Sequence, residues 1–251
     1  MGSTGGNENK GSRMLAGASD GKYHQFKWEA EGTHNYESDR GATYRWFEQN
    51  SNVEELYPEV RAHLNAFDYW ERGHFMGGQQ YGKFSDMDDT RQTYTRIYDN
   101  ILDRSVINEG VEVHRRATPE LLFGEGRRSV TEEMLRNAVG NEVISLGNMS
   151  TGAAADGLTI GRGASKPIDY TIRIPAGSVG AGMYIGHNSV NPTWGDQQRE
   201  FMLNRDTAYR IVGYERISQS ERQDIEDRTW DTAPEYRVIL EYIGRQPHNY
   251  D

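Results

Sequence analysis

The apolar residues change their spacing once along the chain, and that change limits the fold more than any other feature. Between Asp89 and Arg104, residues Tyr94, Ile97, Tyr98, Ile101 and Leu102 recur at i, i+3, i+4, i+7 and i+8, which places them on one face of a helix. Across "VEVHR", residues 111–115, apolar and polar residues alternate instead, the period of a strand with one face in a core. Upstream, Ser51-Asn52-Val53-Glu54 has capping-box spacing, and Tyr57, Val60, Leu64 and Phe67 follow at helical intervals. Downstream, Thr118-Pro119 offers a cap with proline at the first helical position. Ser129-Val130-Thr131-Glu132 offers a second capping box, for a helix that stops at Gly140. Beyond it the pattern predicts strands over about 143–150, 168–174, 181–186, 200–204, 207–217 and 236–244, separated by Gly, Asn, Pro and Asp clusters. Helices first and strands afterwards define an α+β domain.

The opening "MGSTGGNENKGSRMLAGASDGK", residues 1–22, has almost nothing to bury and reads as a flexible lead. Residues 23–251 then form one domain, with helices over about 50–105 and a β core over about 111–245, without internal repeats. A chain of 251 residues with 35% hydrophobic residues suffices for one sizeable core. No apolar run approaches the length of a bilayer crossing and no signal-peptide pattern opens the chain, so a soluble protein without membrane insertion is expected. The absence of cysteine excludes disulfides, thiolate nucleophiles and thiolate metal sites. A net charge of −10 disfavours a broad phosphate-binding surface, although it leaves a small nucleic-acid target open.

Four weak signals stand at strand ends or in the loops beside them, where function concentrates. Arg115 ends the "VEVHR" strand; a guanidinium there suits bidentate contact with a pyrophosphate, or equally a surface pair with Glu112. "NMSTG", residues 148–152, offers the Ser150 and Thr151 hydroxyls to a ligand or to a turn. "GLTIGRGASKP", residues 157–167, is glycine-rich around Arg162 and matches no dinucleotide or P-loop fingerprint. In "GDQQREFML", Gln198 and Glu200 stand two apart and so are expected on one side as the chain enters a strand.

In order and spacing, these signals resemble the Arg/Ser-Thr-Ser/Gln-or-Glu-x-Glu class of mono-ADP-ribosyltransferases. That class holds the clostridial Rho-modifying exoenzymes and the actin-modifying binary toxins. The matching places are Val113-His114-Arg115, Ser150-Thr151-Gly152, Ile172-Arg173-Ile174-Pro175-Ala176-Gly177 and Glu200-Phe201-Met202-Leu203, within residues 89–217. Two positions depart from the pattern: Gly152 stands where the third hydroxyl is usual, and Gln198 where arginine-modifying members carry glutamate.

The resemblance implies an N-terminal helical lobe followed by a mostly antiparallel two-sheet β core. It implies NAD as co-substrate, no metal, and transfer of ADP-ribose to a non-arginine acceptor, an amide-bearing residue of a target protein. On this reading Glu200 stabilises cationic ribose, Ser150 orients Glu200, and Arg115 grips the pyrophosphate with help from Arg116, Thr151 and Arg162. Gln198 and Trp194 then face the acceptor. Guanine-directed transfer to nucleic acid, plain NAD glycohydrolysis and a noncatalytic binding module are the competing readings. The implied setting is the cytosol of a target cell, reached as a delivered effector, a toxin or a phage-encoded modifier.

Overall fold

The computed structural model of the protein describes residues 21–26, 36–63, 84–124, 126–153, 168–185, 199–229, 232–248 and 250. Helices α1 (Tyr36–Asn50), α2 (Val53–Ala62) and α3 (Asp89–Leu102) come first. The strand β1 (Val106–Ile107), the strand β2 (Val111–Ala117), and short helices α4 (Glu120–Phe123) and α5 (Glu132–Ala138) follow. Strands β3 (Glu142–Ser145), β4 (Met149–Gly152), β5 (Ile168–Ile174), β6 (Ser178–Val179), β7 (Gly182–Tyr184), β8 (Glu200–Leu203) and β9 (Thr207–Arg216) lead to helix α6 (Gln219–Thr229) and strand β10 (Tyr236–Arg245).

The stripe on α3 behaves as its spacing predicts: Tyr98, Ile101 and Leu102 are buried, while Tyr94 and Ile97 pack against the core from its margin. Asp88 caps this helix, its carboxylate accepting from the Arg91 amide at 2.9 Å. The two capping boxes read from sequence turn out differently. Ser51 donates backward to the Phe47 carbonyl, at 2.5 Å, and the Asn52 side chain bridges the Arg104 carbonyl and the Val106 amide. On α5 the cap is Thr131, not Ser129, and its hydroxyl accepts from the Met134 amide at 3.3 Å. Sequence reading also missed α1 and α6, and it merged β3 and β4 into one strand.

Eight strands form one sheet in the order β3-β9-β10-β5-β2-β4-β8-β7, antiparallel throughout except for the β5–β10 pair. β2 meets β5 along seven residue pairs but meets β4 at a single one, His114 opposite Gly152. The sheet is therefore two ladders, β3-β9-β10-β5-β2 and β4-β8-β7, hinged at one point. A two-sheet core was expected, and the single joining pair is what makes it one sheet in hydrogen-bond terms.

The helical lobe sits against the smaller ladder. Phe47 of α1 stacks on Tyr184 at 4.7 Å and leans on Phe201 at 5.5 Å, and all three are buried. Burying an aromatic ring of this size contributes roughly 2–3 kcal/mol. Tyr57 of α2 adds a hydrogen bond from its hydroxyl to the Tyr184 carbonyl at 3.2 Å. Gly182 is required here: its φ is +148°, and a Cβ would stand 2.3 Å from the Met202 carbonyl oxygen of the neighbouring strand. No described helix is long and apolar enough to cross a membrane.

Candidate active site

Glu200 opens β8 and is buried at 6% exposure, ahead of the fully buried Phe201, Met202 and Leu203. A strand that apolar is fixed by its core side, and it holds its first residue in register with β4. Glu200 stands opposite Gly152 and Ser150 opposite Met202, so Ser150, Gly152 and Glu200 share one face of the smaller ladder. Ser150 is then the diagonal neighbour of Glu200, a spacing that long side chains span. With no side chain at Gly152, the position directly across from Glu200 is left to whatever enters the cleft.

Arg115 comes from the other ladder. Its guanidinium crosses the hinge and donates to the backbone carbonyl of Ser150 at 2.6 Å. Arg115, Ser150 and Glu200 are thus brought together by three strands that meet where the two ladders join. The alternative pairing of Arg115 with Glu112 does not occur, because Glu112 is engaged by Arg173 at 2.9 Å and by Gln25 at 2.8 Å.

Thr151 faces away from this group, and its buried hydroxyl donates to the Phe201 carbonyl at 2.6 Å, inside the ladder. Arg116 is buried and stands opposite Asp169 in the β2–β5 register. Arg199 departs from expectation. Its φ is +47°, in the left-handed region, and its carbonyl accepts from the Ala153 amide at 3.0 Å. Strand alternation does not run through such a residue, so the same-side argument for Gln198 and Glu200 fails at Arg199. Gln198, Trp194 and Arg162 lie outside the described residues.

A cavity of about 430 Å³ opens beside Arg115. Met149, Tyr170 and Ile172 give it an apolar floor, Ile144 and Leu146 line its edge, and Arg115, Thr118 and Glu120 supply polar groups. Ile144 and Leu146 are about half exposed. Glu120 accepts from the Thr118 hydroxyl at 2.7 Å and from the Gly126 amide at 3.1 Å, so its carboxylate is held at the rim. Sequence reading passed over the cavity, whose walls come from β2, α4, β3, β4 and β5.

The polar face of β2 is a buried electrostatic layer. Burial holds His114 neutral, pushing its pKa down to about 4; Glu112 opposes that shift, and Arg237 and Arg116 add to it. Burial also raises the Asp169 carboxyl, against the nearby charges of Arg237 and Arg116. Arg237 bonds Asp169 at 3.2 Å, Glu215 at 2.7 Å and Glu221 at 2.6 Å, tying β5, β9 and α6 to β10. Burial lowers the Arg237 pKa, but these three carboxylates outweigh it and the net shift is upward.

No protein-family model matches the chain, and no curated protein matches it in sequence. Solved structures do. C3stau2 from S. aureus, crystallised with NAD, superposes with a TM-score of 0.58 at 13% identity, over 89% of this chain and 100% of that one. The Clostridium limosum C3 exoenzyme gives 0.53 at 14% identity, over 88% and 97% of the two chains. BECa, the ADP-ribosylating toxin of a C. perfringens binary enterotoxin, gives 0.56 at 15% identity, over 80% of this chain and 48% of that one. The chain has the ADP-ribosyltransferase fold. The resemblance read from the Arg115, Ser150 and Glu200 motifs and the likeness read from the backbone agree on this fold. The helices ahead of β2 are the helical lobe of the ADP-ribosyltransferase fold, and the two hinged ladders are its β core.

Proposed function

We propose that the protein cleaves the bond between nicotinamide and ribose in NAD and transfers ADP-ribose to a macromolecular acceptor, a non-arginine residue of a protein. The observation that carries this reading is the meeting of Arg115, Ser150 and a buried Glu200 at the hinge between the two ladders.

The chemistry follows from where charge develops. As the C–N bond breaks, its electron pair leaves with nicotinamide, and the ribose carbon becomes cationic. A preorganised carboxylate stabilises that cation more than it stabilises the ground state, which lowers the barrier. Glu200 takes that role and Ser150 orients it. Arg115, held at the hinge, suits the pyrophosphate, because a guanidinium fork matches paired phosphate oxygens. The cavity beside it, apolar below and polar at the rim, suits the adenosine end, with Arg116 at its wall. The acceptor nitrogen then bonds to the ribose carbon and gives up its proton.

Gln198, where arginine-modifying members carry glutamate, supports an amide acceptor. A neutral amide side chain offers both a donor and an acceptor, whereas a guanidinium calls for a carboxylate. Arg162 is a secondary NAD-binding candidate and Trp194 a candidate contact to the acceptor, whereas Thr151, turned away with its hydroxyl on the Phe201 carbonyl, drops out of the NAD-binding set. Incubating target-cell lysate with the protein and labelled NAD, then identifying the modified residue by mass spectrometry, tests this reading. Label on glutamine or asparagine of a protein supports it. Label on arginine or on nucleic acid refutes the acceptor class, and release of nicotinamide without any labelled macromolecule reduces the activity to glycohydrolysis.

A further inference from the structure

The segment Gln246–Tyr250 ends in a buried cluster that plays no part in the site above. His248, 5% exposed at its side chain, places Nδ1 2.9 Å from Asp206 and Nε2 2.9 Å from Asp103 and 3.4 Å from Asp99. Arg205 grips Asp99 through two donors at 2.9 Å and lies 3.0 Å from Asp206. The Asn204 side chain donates to Asp103 at 2.9 Å and to the Gly180 carbonyl at 3.1 Å, and the Tyr250 hydroxyl donates to Asp99 at 2.8 Å. Asp99 belongs to α3 and Asp103 is its C-cap, whereas Asn204, Arg205 and Asp206 form the turn that leaves the Glu200 strand. The cluster therefore fastens the helical lobe to the far end of β8.

Two details make the fastening depend on a proton. The Asp99, Asp103 and Asp206 carboxylates outnumber the Arg205 and Arg245 guanidiniums that bond them, and His248 bonds two of the three, a setting that favours its cationic form. In addition, His248 Nε2 lies 2.7 Å from Arg245 Nη1 as well as 2.9 Å from Asp103. A protonated Nε2 donates to Asp103; a deprotonated one accepts from Arg245. Arg245 is the last residue of β10, so the second bond is local and takes one contact from Asp103, which keeps its bonds to Asn204 and Arg245.

We propose that His248 is a positioning residue that works as a proton-operated clasp. As an imidazolium it adds a bond between the end of α3 and the turn after the Glu200 strand, beside those of Asn204 and Arg205, and on losing its proton it exchanges Asp103 for Arg245 and loosens that joint. Burial works against the charged ring, but the bonds to Asp103 and Asp206 and the charge of Asp99 outweigh it, so the His248 pKa is raised above its ordinary value. Three titratable neighbours are shifted as well. Tyr250 is pushed up to about 12 by burial and by Asp99, Tyr242 is raised by burial, and Asp103 is held below its ordinary value by its His248, Asn204 and Arg245 contacts, against the effect of burial. Arg96 is exposed and lies over the Tyr250 ring at 4.7 Å. Any effect on Glu200 rests on the function proposed above; the clasp itself does not.

The test is an NMR titration of the His248 ring together with amide exchange at Asn204, whose N–H bonds the Ala181 carbonyl at 3.0 Å. The expected result is a His248 midpoint above the ordinary histidine value. The Asn204 protection factor should then fall about tenfold or more from pH 7 to pH 9, the size of one charge-assisted hydrogen bond. In His248→Gln, protection should be low and equal at both pH values. The clasp is overturned if His248 titrates at or below the ordinary value, if wild-type protection is unchanged across that range, or if the fall persists in His248→Gln. Should that variant fail to fold, the two wild-type measurements decide alone. Nicotinamide release is followed in parallel and should decline over the same pH range; its absence at every pH would count against the proposed activity and leave the exchange result standing.

Discussion

Acid should destabilise this fold measurably through His114, and the size of its share follows from its surroundings. The ring is 6% exposed, lies 3.4 Å from the Thr171 hydroxyl, and is flanked by Glu112, Arg116 and Arg237. Its pKa is about 4 in the fold against 6.5 for the free side chain. Below pH 6.5 the unfolded chain therefore binds a proton that the folded chain refuses, so stability falls as pH falls, and the loss is complete only below the folded value. Integrating between those two pKa values gives a loss of roughly 2 kcal/mol from pH 7 to pH 5 and roughly 3 kcal/mol by pH 4. Urea unfolding followed by tryptophan fluorescence at pH 7, 6 and 5 measures it, with His114→Gln as the control that cannot take up the proton. The variant starts less stable but should lose roughly 2 kcal/mol less than wild type over that range. Parallel pH dependences would show that His114 is not held neutral by burial, and the account of the buried layer would fail.

Two further outcomes concern the site. Arg115→Ala should weaken NAD binding measured by calorimetry by about tenfold or more, the worth of a charge-assisted contact; unchanged affinity would reassign Arg115 to holding the hinge alone. Gln198→Ala should lose transfer to protein while retaining most nicotinamide release, and equal loss of both would remove the distinction between acceptor and NAD roles.

The parts of the fold legible in the sequence are those whose signal is local. The α3 stripe and the alternation of β2 each lie within a few turns or residues, and both form as read. Helix α1 was invisible because "YESDRGATYRWFEQN" carries a glycine and no clean apolar stripe; Phe47 is held by Tyr184 and Phe201, more than a hundred residues away. Helix α6 is nearly all polar, with Ile225 as its buried anchor, and its one local clue is the Ser218 hydroxyl accepting from the Glu221 amide at 3.2 Å. At the site, Arg115, Ser150 and Glu200 could be picked out by motif order, but their meeting depends on strand register. The single His114–Gly152 pair and the Gly152–Glu200 pair join residues 38 and 48 positions apart, and no spacing rule announces them. The left-handed Arg199 shows the cost of extending a strand pattern one residue too far. The clasp was equally silent, since His248 finds its carboxylates on α3 and in the turn after β8.

If Glu200 faces a ribose that becomes cationic, nicotinamide release from NAD depends on its negative charge. Glu200→Gln keeps the size and hydrogen-bonding shape of the side chain and removes the charge, so circular dichroism should show an unchanged fold. Release should fall on the order of a hundred- to a thousand-fold, the usual cost of deleting one preorganised electrostatic partner. Release within a few-fold of wild type, from a variant that is folded, would contradict the claim.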